Sequence, residues 1–353
     1  MTIEVLWFCL LWWMLATYVV LDGFDLGVGV LHLLVAKTDE ERRQVLRTIG
    51  PVWDGNEVWL IAAGGTMLFT FPTLFAASFS GFYLPLMMML WLLMGRALGI
   101  ELRHQIDDPL WNQFWDVIFS LSSLLMVVIF GAALGNIVRG VPLNEKHIFF
   151  EPLWTDFRVG PQTGILDWYT LLVALAALAA LTLHGALWLH ARTDEAVQRR
   201  AGSVAGVLWP VVLMLSILAA IASFIVQPNI IHGLETRPWG VVFPALAIIS
   251  MISVPLLLKK RRPRMAFRAS AVYLASMVAS AAVGIYPYAL PARDSALGIT
   301  VMDAAAPSEG LRAALYWWVP GMILVCGYTY VVSYRSMPER FRLRETSDGA
   351  DHP

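Results

Sequence analysis

Leu21-Asp22-Gly23-Phe24-Asp25-Leu26-Gly27, followed by Trp53-Asp54-Gly55-Asn56-Glu57-Val58-Trp59, sets four carboxylates into an otherwise apolar chain. The first phrase lies inside an apolar run long enough to cross a bilayer, and the second stands at the mouth of the next run. Elsewhere the apolar runs carry almost no carboxylates near mid-depth. An ionisable group in hydrocarbon costs several kcal/mol unless it is paired, wetted or protonated, so these acids are functional candidates by default.

The remaining composition fixes the class. Of 353 residues, 58% are apolar and 14% are charged, against roughly one quarter charged in a soluble domain. The mean hydropathy is +0.65, and the chain reads as an integral membrane protein. A net charge of −1, with no basic stripe carrying interleaved aromatics, excludes a nucleic-acid binder. Cys9 and Cys326 lie in apolar runs at opposite ends of the chain and read as packed or lipid-facing thiols, not a disulfide or metal site. Met1 to Leu6 has no Lys or Arg and no small-residue cleavage site follows, so the N-terminal run is expected to be a retained span and not a signal peptide.

Windows of about 20 apolar residues give nine expected helices, near 6–34, 57–71, 74–95, 114–137, 167–190, 205–226, 239–258, 268–290 and 313–334. The expected fold is therefore an all-α membrane bundle, one polytopic domain over 1–336 with a polar cytoplasmic tail over 337–353. Basic residues in alternate connections divide 19 to 6 out of the 25 in the chain. The positive-inside rule places the richer set in the cytoplasm, which puts the N-terminus outside and the C-terminus inside and requires an odd number of spans. The connection over 139–162 carries Phe149, Phe150, Trp154 and Phe157, a mixture suited to the membrane interface or to a partner's surface. The basic run from Lys259 to Arg264 reads as a topology anchor, with an anionic-lipid contact as the alternative.

The chemistry concentrates in the acidic phrases. Counted inward from Leu6, Asp22 lies about 24 Å deep at roughly 1.5 Å per residue, in the cytoplasmic half of the bilayer. Asp22 and Asp25 are three apart and share a helix face. Two such carboxylates in low dielectric cannot both be cheaply ionised, so at least one of them is expected to exchange protons. Gly23 and Gly27 form a small-xxx-small pair that lets a neighbouring helix approach, so a tight contact lined by acids is expected there. Asp54 and Glu57 resemble a capping box, and Asp54 is also placed to collect protons and hand them to Asp22 or Asp25 through Asn56 and water. A purely structural role for the first pair, or a cation site on the same oxygens, remains open. Of the histidines, His32, His184 and His190 fall in or near spans; a helix-end His is more often hydrogen-bonded than a haem ligand, so no cofactor or metal ligand is assigned to this chain.

The phrases Leu21 to Gly29, Pro51 to Leu60, Phe82 to Met87, Gly135-Asn136 and Gly140-Val141-Pro142 resemble subunit II of the cytochrome bd-type quinol oxidases, most nearly the short, cyanide-insensitive type. The resemblance implies a nine-helix subunit of the bacterial cytoplasmic (inner) membrane, paired with a related subunit I that holds haem b and haem d and oxidises quinol. It implies oxygen reduction to water with cytoplasmic protons, and a subunit II that scaffolds subunit I, supplies a proton path and is inactive alone. Asp54 matches the acid of that path, and Asp22 and Asp25 match the acidic phrase of the first helix; Glu57 is a Gln in some relatives. A small single-helix subunit is a further candidate partner, and a quinone or lipid bound in a groove is left open. A proton-coupled secondary transporter is the alternative from another class, and a purely structural assembly subunit the third.

Overall fold

The computed structural model describes residues 1–161 and 163–335; the expected tail over 337–353 lies outside the described residues. Helix α1 (Ile3–Val35) is the axis of the molecule. It rises about 50 Å at roughly 1.5 Å per residue. Helices α3 (Trp53–Thr70), α6 (Pro109–Arg139), α7 (Trp168–Arg192) and α11 (Pro263–Ile285) pack around it. Helix α5 (Tyr83–Leu102) packs on α6, α8 (Glu195–Val226) on α7, and α10 (Val242–Lys259) on α11. Helix α13 (Ser308–Arg335) touches α1 and α3 but leaves Tyr316, Trp317 and Leu324 exposed.

Short elements close the two ends. Helix α2 (Asp39–Ile49) is polar and starts on a complete capping box between Thr38 and Glu41. It marks what we call the basic end. At the opposite end lie α4 (Pro72–Gly81), α9 (Asn229–Thr236), the strands β1 (Tyr288–Leu290) and β2 (Ile299–Thr300) in an antiparallel pair, and α12 (Val301–Ala304). Two apolar clusters fill the bundle, one toward each end, and α1 contributes to both.

Among the described residues, eight helices are long and apolar enough to cross a membrane. The one expected span not among them, near 57–71, corresponds to α3, whose 18 residues begin with a polar turn containing Asp54, Asn56 and Glu57 that dilutes its apolar character. The expected helix over 74–95 is two helices. The break at Phe82 separates α4 from α5, because α4 ends at the opposite end of the bundle and α5 crosses alone. Within the 139–162 connection Phe149 is buried against Gly81 and Phe82, whereas Phe150, Trp154 and Phe157 are exposed. Both cysteines are free and exposed.

Candidate functional site

Asp22 and Asp25 leave α1 toward different neighbours. Asp22 is wholly buried and receives both terminal nitrogens of Arg96 from α5, at 2.8 Å and 2.6 Å. This is the bidentate fork that guanidinium and carboxylate form best. The same Arg96 nitrogen reaches Glu57 Oε2 at 3.3 Å, on α3. Asp25, equally buried, faces α3: Asn56 Nδ2 donates to its Oδ2 at 2.8 Å and to Leu21 O at 3.2 Å. Its Oδ1 has no hydrogen-bond partner among the described residues. One carboxylate of the pair is thus neutralised by a fixed cation, while the other has one neutral donor and one open oxygen.

Asp54 stands exposed in the first turn of α3, one turn before the half-buried Glu57. The expected capping box between them is absent: the residue at the N-cap is Val52, which makes no side-chain cap. The helix begins two residues earlier than that reading required, so Asp54 sits inside the first turn with its side chain outward. A carboxylate there still favours the positive end of the helix dipole.

Gly23 and Gly27 face α7, away from α3 and α5. A Cβ on Gly27 would run into Leu181 O and stand 2.9 Å from Gly185 N, and one on Gly185 would meet the Gly27 backbone. The close helix contact is therefore with α7, and the acids do not line it.

Two further ion clusters were missed from sequence. At the basic end Asp116 on α6 takes His32 Nε2 at 2.6 Å, Arg103 Nε at 2.6 Å and Arg42 at 3.1 Å, while Arg103 also bonds Asp39 at 2.6 Å. At the opposite end the buried Arg139 is bonded to Asp167, Glu151 and Asn136, which ties the long connection down onto α6 and α7. Burial pushes the Glu151 carboxyl up despite the opposing guanidinium. A charge inside an apolar run was the available signal for Asp116, but its partners come from three other segments. Arg96 and Arg139 stand near span ends and read there as loop cations.

The three histidines in or near spans are spent on the protein. His184 donates from Nε2 to Val20 O at 3.1 Å and has Ser270 Oγ 2.6 Å from Nδ1; His32 is wholly buried against Phe119 and Asp116; His190 Nδ1 donates to Gln198 O. A porphyrin needs an imidazole nitrogen facing open space, and these side chains do not fit that requirement. Among the described residues no group of three or more His, Cys, Asp or Glu is placed to hold a metal ion.

The comparisons converge. The family model described as cytochrome bd terminal oxidase subunit II matches residues 3–337. The chain is 32% identical to a probable cytochrome oxidase subunit 2 of Haemophilus influenzae, over 93% of both chains. It is 28% identical to the cytochrome bd-I ubiquinol oxidase subunit 2 of Escherichia coli strain K12, over 91% of this chain and 92% of that one. Its fold matches a chain of the bd oxidase from Geobacillus thermodenitrificans with a TM-score of 0.68 at 19% identity, covering 94% of this chain and 98% of the other. These matches lend no support to the transporter alternative. A multi-pass helical bundle matched from its first helix to its last in this way belongs to the cytochrome bd terminal oxidase subunit II family.

Proposed function

We propose that this subunit of a terminal quinol:oxygen oxidoreductase scaffolds a haem-bearing subunit I in the bacterial cytoplasmic membrane and carries protons to it through α1 and α3. Haem b and haem d, with the quinol-oxidising site, belong to the partner in this reading, because His32, His184 and His190, the histidines in or near spans, are already bonded. The haems supply the electron transfer and oxygen chemistry, and this chain supplies protons. Asp54 gathers them at the surface, and Glu57 lies one turn further along α3. Asp25, held by Asn56, takes the proton on its open oxygen. Asp22, locked to Arg96, stays as a fixed anion that keeps the guanidinium in place.

The observation carrying the proposal is the contrast inside one helix turn: a fully paired Asp22 and an incompletely paired Asp25. A purely structural pair would have both carboxylates satisfied. The test is quinol-driven oxygen uptake by the assembled complex. Asp25→Asn should slow it by roughly 10²-fold, the scale of a lost proton-transfer group, with the haem spectrum unchanged. Asp54→Asn should slow it less, since water reaches that exposed position. Full turnover in a haem-replete Asp25→Asn complex would overturn the proton role.

A further inference from the structure

A cavity of about 640 Å³ opens at the basic end between α1, α2, α3, α7 and α8. Its lining includes Asn56, the residue that holds Asp25, but neither Asp54 nor Glu57. Two faces of α3 therefore approach the same buried carboxyl, one through Asp54 and one through this cavity. Val20, Leu21 and Phe24 of α1 form one wall, and Thr38, Gln44 and Thr48 along α2 bring polar groups from the mouth inward.

The mouth is acidic. Glu40, Glu41, Asp194 and Glu195 line it against Arg47 and Arg192, and Arg200 behind Glu41 does not reverse the sign. The Lys37 N–H, and then Arg200, hold the Glu41 carboxyl below the usual range, so it is ionised at neutral pH. A net negative entrance disfavours an anionic lipid headgroup and raises the local concentration of cations, protons included. The volume, with the polar side chains of Thr38, Gln44, Thr48 and Asn56 in the lining, suits a chain of waters, each needing two to four polar partners.

We propose that this cavity is a water-filled vestibule, built wholly from this chain, that delivers protons from the basic end to Asp25 past Asn56, whose amide holds that carboxyl and carries no proton itself, without passing the Asp54 mouth. The proposal rests on the proton role given to Asp25. It makes Gln44 and Thr48 wall residues of a proton entry, and it makes Asn56 the positioning residue at the inner end.

The test uses the assembled oxidase with Gln44→Cys, treated with a small cationic thiosulfonate that reacts only with a wetted thiol. Oxygen uptake by the same preparation is compared before and after treatment, and mass spectrometry scores labelling of that cysteine. Labelling with a several-fold fall in rate, absent from the treated parent complex, is the expected result. Labelling without a fall in rate would overturn the vestibule. So would failure to label, as when a tightly held lipid or quinone fills the space. Thr48→Trp, which narrows the cavity from the same helix, should slow uptake in a haem-replete complex; an unchanged rate counts against the vestibule. Asp25→Asn separates the two claims: if it slows turnover while the vestibule variants do not, the entry route fails and the proton role stands. If it does not slow turnover, the proton role itself fails.

Discussion

At the scale of the residue, Asp22 and Asp25 show how the partner, not the residue type, assigns the task. Arg96 is wholly buried and has Asp22 as its bidentate partner. Breaking such a pair from one side leaves an uncompensated charge and costs about 3–5 kcal/mol. Asp22→Asn should therefore lower the thermal midpoint and haem yield of the complex sharply, and Asp22→Asn combined with Arg96→Gln should recover part of the loss. An unchanged midpoint for the single variant would mean that the pair does not hold α1 to α5. Asp25→Asn, which replaces an acid already facing an amide, should leave the midpoint nearly unmoved while turnover falls. The four acids were legible because charge in an apolar run is costly wherever it occurs. Their division of labour was not, since Arg96 stands 74 residues from Asp22 and only the fold brings them together.

At the scale of the element, the crossing of α1 and α7 is set by where there is no room for a methyl group. At Gly27 the obstruction is the backbone of α7, Leu181 O and Gly185 N, which cannot turn aside. At Gly23 it is Leu181 Cδ2, 2.9 Å from the added carbon, the tip of a side chain that can. Gly27→Ala should cost about 1–3 kcal/mol of overpacking and show as a lower thermal midpoint, whereas Gly23→Ala should cost clearly less. Equal midpoints would mean that the helices part freely. The glycine spacing made a close contact legible, but not its partner helix: the acids beside the glycines suggested a shared seam, and the structure turns the two faces apart. Helix boundaries were less legible still. Apolar counting runs through Phe82 because both α4 and α5 are apolar, and only the path of the backbone separates them.

At the scale of the whole molecule, the charge asymmetry defines an axis. Arg96 was counted with the loop cations but lies inside α5; removing it leaves 18 basic residues against 6, drawn from the 25 in the chain. The bias that orients a polytopic chain is thus intact, and the expectation it gives is that α2, Asp54 and the cavity mouth face the cytoplasm. The proton proposals depend on that orientation, since a mouth opening outward would not take up cytoplasmic protons. With Cys9 and Cys326 replaced by Ser, a single cysteine introduced by Lys146→Cys, in the connection tied down by Arg139, should react with an impermeant reagent in intact cells. One at Lys37, beside α2, should react only after the membrane is opened. The reverse pattern would place the acidic mouth outside and remove the cytoplasmic route for both Asp54 and the vestibule, whatever the effects of Asp25→Asn on turnover.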